Sequence, residues 1–250
     1  MERPVVSVVI PAYNSAGTIR QAIESARMQE TDLEIIVIDD CSKDGLAEIM
    51  EAYRGCPVIS YVRNKQNLGA AMSRNRGVEL ARGTYVAFLD ADDWWAPGKL
   101  KKQLALMEKG EYALCCTARE LVTPQGELTG RIIPVKERIS YRDLLKHNSI
   151  NCSSVLAKRE VLLEFPMEHE EVHEDYLTWM KILKKYGSAC GVNEPLLKYR
   201  LTSAGKSGSK WKSARMTFGT YRCMGFGLLK SSACFFSYAL HGVLKYGGLK

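Results

Sequence analysis

The 250-residue chain is 46% apolar and 25% charged, an ordinary globular composition with ample length for a core, in one large domain or two small ones. Its formal net charge of +7 is unevenly placed. All 28 Asp and Glu precede Lys198, while Lys198 to Lys250 holds ten Lys or Arg and no acid. No C-x-x-C spacing occurs among the eight cysteines, and Pro4 and Pro11 bracket too short an apolar run for a signal peptide. Free thiols in a reducing, cytoplasmic setting are expected.

Strand-like and helix-like segments alternate over the first 118 residues. Val5 to Ile10 is apolar and β-branched, ending at Pro11-Ala12-Tyr13-Asn14, and Thr18 to Gln29 carries Ile19, Ala22, Ile23 and Ala26 at helical spacing. Glu34 to Asp39 predicts a second buried strand, Gly45 to Tyr53 a second helix, Val58 to Val62 a third strand and Ala70 to Ala81 a third helix stopped by Gly83. Residues 84–89 form the next strand, Pro97 opens a helix over Gly98 to Lys109, and Tyr112 to Ala118 is strand-like, with Cys115 and Cys116 as small core residues. Residues 119–170 are less periodic, apart from a helix start at Ser140-Tyr141-Arg142-Asp143. The acidic run Pro166 to Asp175 then leads into a helical Tyr176 to Lys185.

Continuous apolar strands alternating with helices imply an α/β fold, a mostly parallel central sheet flanked by helices, whose ligands bind outside the C-terminal strand ends. Those ends carry Tyr13-Asn14, Asp39-Asp40 and Asp90-Ala91-Asp92-Asp93. Three carboxylates crowded behind the run Tyr85 to Leu89 repel one another, and a hard divalent cation such as Mg²⁺ or Mn²⁺, which brings substrate phosphates with it, resolves that repulsion.

In this order and spacing, four pieces resemble the inverting GT-A-fold glycosyltransferases of family 2. They are Val6 to Asn14, Ile38 to Gly45, Asn67-Leu68-Gly69 through Arg74-Asn75-Arg76-Gly77, and Leu89 to Asp93 with Trp94 and Pro97. Glu174-Asp175 follows before a helix containing Trp179. The resemblance implies a GT-A (Rossmann-like) domain over 1–200, with a nucleotide-binding half at 1–118 and an acceptor half at 119–200, followed by a basic, aromatic helical tail at 201–250. It implies that Pro11, Ala12 and Tyr13 border the nucleotide base, with Asn14 beside them and Tyr13 stacking, and that Asp40 accepts a hydrogen bond from a uracil N–H. Arg74 would face the diphosphate or the base. Asp90 would contact the ribose and share with Asp92 the metal bridging the diphosphate, with Ala91 between them and Asp93 in support. Asp175 would be the general base, Glu174 an acceptor contact, and a single base without an enzyme nucleophile implies inversion. A His after Tyr199-Arg200 that often assists the metal in this family is replaced here by Leu201-Thr202-Ser203.

The expected reaction is transfer from a nucleotide diphosphate sugar, a UDP-sugar, to a hydroxyl of a glycan or lipid-linked oligosaccharide in bacterial surface-polysaccharide synthesis. A sugar nucleotidyltransferase is the alternative, although the Pro11 to Ser15 turn lacks the Gly-rich basic loop of such enzymes. A third reading is a zinc protease, because His169-Glu170-Glu171-Val172-His173 matches H-E-x-x-H. In the tail, Lys230 and His241 interrupt the apolar stretches, so no spanning helix is expected. Its basic, aromatic pattern suits an anionic membrane surface at the inner face of the cell membrane; two helices packed on the domain are the other reading. No nucleic-acid partner is expected, since the charge joins no recognised binding module.

Overall fold

The computed structural model describes residues 3–110, 112–201 and 210–247; residues 202–209 and 248–250 of the basic tail, Thr202 and Ser203 among them, lie outside the described residues. The first half runs β1 (Val6–Ala12), α1 (Ile19–Arg27), β2 (Leu33–Asp39), α2 (Leu46–Glu51), β3 (Ile59–Arg63), α3 (Ala70–Leu80) and β4 (Tyr85–Phe88). Its strands pair in parallel in the order β3-β2-β1-β4, with Val9 opposite both Ile36 and Phe88. Both faces are covered: Val8 and Ile10 enter one apolar cluster while Val9 enters the other. Helix α3 lies so close to the sheet that a Cβ at Gly77 would come within 2.3 Å of Val9 Cγ1.

The second half adds β5 (Trp94–Trp95), α4 (Lys99–Lys109), β6 (Leu114–Val122), β7 (Leu128–Ile133), β8 (Arg138–Ser140), α5 (Tyr141–Lys146), a 3₁₀ turn at Cys152–Ser154, β9 (Leu156–Lys158), α6 (Arg159–Glu164), α7 (Glu174–Tyr186) and β10 (Ser188–Arg200). The start of α5 has the capping box its sequence predicts, Asp143 N donating to Ser140 Oγ and Ser140 N to Asp143 Oδ2.

Parallel order stops at β4. Strand β9 inserts antiparallel between β4 and β6, and the sheet continues through β10 to β5. The parallel pattern therefore describes the first half, and the second half is mixed. Of its added strands the sequence marks β6, as the run Tyr112 to Ala118, but not β9, which has three residues, or β7, which is exposed along most of its length.

Two further helices, α8 (Lys210–Cys223) and α9 (Leu228–Gly247), close the chain. They pack on α5 and α7. Tyr221 meets Tyr176 edge-on at 6.2 Å and donates its hydroxyl to Leu145 O at 3.0 Å, while the Tyr238 ring lies 6.1 Å from Tyr176. The inner face of the tail is thus ordinary core. Its outer face is not: Leu229, Phe236 and Leu240 are exposed, and with Ala233 they fall at one-face helical spacing along α9. No described helix is long and apolar enough to cross a membrane.

Candidate active site

All the parallel strands point their C-terminal ends at one cleft of about 820 Å³. Pro11, Ala12, Tyr13 and Asn14 line it from the end of β1, Asp40 from the end of β2, and Arg74 from α3. Asp90, Ala91 and Asp92 reach it from the turn after β4, and Asp175 from the first turn of α7. The fold gathers these residues although Tyr13 and Asp175 are far apart in the chain; Asp93, assigned a supporting role, is not among the lining residues.

The strand ends are laced together before any ligand arrives. Asn14 sits in the left-handed region at φ 48°, which lets its N–H donate to Ser42 Oγ (3.0 Å) while its Oδ1 accepts from Lys43 N (2.9 Å). Tyr13 is left half exposed at the lip. The two aspartates after β2 divide their work. Asp39 is fully buried and structural, accepting from Ser42 N and the Tyr61 hydroxyl. Asp40 accepts from Asn64 Nδ2 (2.7 Å), Leu68 N (2.8 Å) and Gly69 N (2.7 Å), so it ties β2 to the entry of α3 and leaves spare acceptor capacity on Oδ2. Gly69, at φ 85°, has no room for a side chain, because a Cβ would lie 2.0 Å from the Glu170 carboxylate, which accepts the Ala71 N–H.

Arg74 is buried between two carboxylates, with Nη2 2.6 Å from Asp90 Oδ1 and Nη1 3.2 Å from Glu174 Oε1. Two of its five donors are committed to the protein; Nε is buried without a partner. The Asp90 backbone N–H donates to Ser153 Oγ, and the Ser153 carbonyl takes the Trp95 indole N–H.

Asp92 is in no ion pair among the described residues, and burial together with the charge of Asp90 pushes its carboxyl up to about 6. Asp93 is more deeply buried and is raised too, by burial and then by Asp92 and Asp90. Its Oδ1 accepts from Arg200 N (2.9 Å). An all-oxygen donor set of closely spaced carboxyls fits a hard cation such as Mg²⁺ or Mn²⁺. The aspartates do not converge into a ready three-ligand cage. Among the described residues the one group of three ligand atoms within 4.8 Å of one another is His169, Glu171 and Cys223, away from this cleft. Asp90 and Asp92 therefore suit a cation that shares its coordination with a diphosphate.

Asp175 heads α7, and its Oδ1 accepts the N–H of Tyr176. Burial, and after it the neighbouring Glu174 charge, raises its carboxyl to about 6 against the pull of Arg74 and His173. A carboxylate that is unpaired and titrates near neutrality is suited to take a proton from a hydroxyl.

Two residues were missed. Arg200 was noted only as the residue before the sought His; its Nε–H donates to Asp92 O (2.8 Å), Nη1 to Pro124 O (2.9 Å) and Nη2 to Gln21 Oε1 (2.8 Å). His173 was read only as part of H-E-x-x-H, and that zinc-protease reading fails. His169 is not helical but left-handed at φ 63° and contacts Glu171, whereas His173 contacts Ser213, so the two histidines never share a helix face.

Strand-end carboxylates and an acidic helix start around a cleft at the edge of a parallel half-sheet define a GT-A glycosyltransferase. Solved structures of that fold superpose on the chain: Staphylococcus aureus TarS 1–349 in complex with UDP-GlcNAc gives a TM-score of 0.72 at 18% identity, covering 98% of this chain and 73% of that one. Mannosyltransferase PcManGT from Pyrobaculum calidifontis, in complex with GDP-Man and Mn²⁺, gives 0.71 at 18% identity, covering 95% and 69%. The profile described as Glycosyl transferase family 2 matches residues 7–163, and the chain belongs to that family. Among its relatives is TuaG of Bacillus subtilis, named for a glycosyltransferase role in teichuronic acid biosynthesis, 37% identical over 97% of this chain and 98% of that protein. Another is the Escherichia coli UDP-Glc:alpha-D-GlcNAc-diphosphoundecaprenol beta-1,3-glucosyltransferase WfaP, 31% identical over 97% and 95%. The nucleotidyltransferase alternative falls with this membership.

Proposed function

We propose that this glycosyltransferase is metal-dependent and inverting, and that it moves a sugar from a UDP-sugar to a hydroxyl of a lipid-linked glycan during surface-polysaccharide assembly. The observation that carries the reading is a single cleft holding two unpaired carboxyls of different origin. Asp92 comes from the turn after β4 and Asp175 from the head of α7, and both are raised to about 6. Residues 1–118 supply the donor side, 119–200 the acceptor side, and 201–250 the membrane-facing extension.

Tyr13, half exposed at the lip, offers its ring to a nucleobase, and Asp40 Oδ2 accepts the imide N–H of uracil. Asp90, oriented by Arg74 and Ser153, meets the ribose. Asp90 and Asp92 would hold Mn²⁺ or Mg²⁺, whose chemistry when bound is to offset charge growing on the leaving diphosphate. Asp175 takes the acceptor proton as the hydroxyl oxygen bonds to the anomeric carbon. The bond from that carbon to the phosphate oxygen breaks with its electron pair leaving on the diphosphate, and one displacement inverts the centre. A UDP donor is supported by the name of WfaP, which specifies UDP-Glc, and a lipid-linked acceptor by the same name.

The exposed stripe Leu229-Ala233-Phe236-Leu240, in a tail that holds basic but no acidic residues, would face an anionic membrane at its inner surface. The test is transfer from UDP-sugars, with and without Mn²⁺, by the wild type, Asp92→Asn and Asp175→Asn. Loss in both variants with native melting supports the assignment, and full activity in either overturns it.

A further inference from the structure

A second cavity of about 670 Å³ opens between α8 and α9, lined by Trp211, Ala214, Phe218 and Phe235 with Lys212 and Arg215. Phe218 and Phe235 meet edge-on at 6.2 Å. Trp211 is 87% exposed. The groove thus pairs an aromatic floor with two cations, in a stretch of chain that holds no acidic residue from Lys198 onward.

Its position is specific. His173, which lines the active-site cleft two residues from Asp175, has Nε2 3.3 Å from Ser213 O and 3.4 Å from Ser213 Oγ. Ser213 stands between Lys212 and Ala214, so the groove begins one residue from the wall that carries the proposed base. The exposed stripe of α9 includes Phe236, next in the chain to the groove's Phe235, and Leu240.

We infer that the α8–α9 groove seats the lipid anchor of the acceptor, with the first isoprene units of a prenyl diphosphate on Trp211, Phe218 and Phe235 and its diphosphate against Lys212 and Arg215. The inference rests on the proposed lipid-linked acceptor and adds where that lipid binds. An apolar chain with an anionic head matches the groove in both parts, and the head then lies on the Asp175 side while the chain follows α9 toward the bilayer.

The test uses the full-length protein with farnesyl diphosphate as a water-soluble probe, titrated in saturating UDP so that the donor cleft is occupied. Trp211→Ala and Arg215→Glu change exposed side chains and are checked by thermal melting. Each is expected to weaken farnesyl diphosphate binding at least about tenfold while leaving UDP affinity unchanged, and inorganic diphosphate is expected to compete poorly. UDP binding with no farnesyl diphosphate binding, or with binding that both substitutions leave unchanged, overturns the groove. So does displacement of the probe by anionic vesicles lacking prenyl diphosphate, which would make this face a general bilayer contact. Loss of UDP binding in the wild type, with the probe still dependent on Trp211 and Arg215, overturns the donor reading instead and leaves the groove standing.

Discussion

Arg200 grips Asp92 by the backbone: its Nε–H donates to the Asp92 carbonyl at 2.8 Å while its own N–H donates to Asp93 Oδ1 at 2.9 Å. One residue at the end of β10 thereby holds the C-terminal end of the acidic turn after β4, and its other two hydrogen bonds anchor it to Pro124 and Gln21. The guanidinium also lies over the Trp94 ring at 5.1 Å. The turn stays in place against the mutual repulsion of its carboxylates because a fork of donors spans three separate segments.

Arg200→Lys keeps the charge but satisfies only one of the three acceptors, so it is not conservative here. The expected cost is about 2 kcal/mol of stability, with a rise of about tenfold in the KM for donor and a smaller change in kcat. Thermal denaturation beside steady-state kinetics at varied Mn²⁺ checks it. An unchanged donor KM would remove Arg200 from the positioning role.

Arg74→Met removes the cation that the partly buried Asp90 and the buried Glu174 share, at an expected cost of about 3 kcal/mol. Adding Glu174→Gln removes one of the two carboxylate charges and is expected to recover part of that loss. Urea unfolding of the single and double variants measures the coupling.

Activity should follow the ionisation of Asp175. A base must be deprotonated, so kcat at saturating donor and Mn²⁺, where Asp92 is kept ionised, is expected to rise with pH along a unit slope and level off above about 6, where the Asp175 carboxyl titrates. Glu174→Gln withdraws the negative neighbour and leaves Arg74 beside Asp175, both of which favour the carboxylate, so the midpoint moves down. A midpoint that moves up, or an acid limb that survives in Asp175→Asn, contradicts the assignment.

Beneath the acidic turn, Lys99 is fully buried, donating to Gln103 Oε1 at 2.8 Å with its ammonium 3.9 Å over the Trp95 ring. Burial lowers it to about 7 from an ordinary 10.5. The unfolded chain therefore binds more protons between those values. The stability tied to this group is fully present above 10.5 and is lost as pH falls through about 7. Lys99→Met is expected to gain about 1–3 kcal/mol at pH 7 and to flatten the rise of stability between pH 7 and 9, read by thermal melts across that range.

Much of this site is written in short stretches of chain. The strands ending at Asp39 and Leu89 are continuous apolar runs, and a run of that kind can only be buried in a sheet whose polar strand ends then share one edge. The order of Tyr13, Asp40, Arg74 and Asp90 along alternating strands and helices was enough to place them together, because right-handed parallel crossovers return each strand in the same direction. Asp175 was legible only through its resemblance to a family motif.

What local sequence could not decide is how partners are shared. That Arg74 faces Asp90 and Glu174, that Asp40 spends most of its acceptors on Asn64 and the Leu68–Gly69 backbone, and that Arg200 reaches Asp92 from the far end of β10 are facts of packing. The same holds for H-E-x-x-H, which needs a helix that Pro166 to His173 does not form, and for the tail, whose one face is core and whose other carries an aromatic groove. The sequence by itself determined the chemistry available and the edge of the sheet that carries it, since residue type and periodicity are local. Only the tertiary structure decided which carboxylates are neutralised and which stay unpaired, because that depends on distances of a few ångströms between residues separated by up to about a hundred positions.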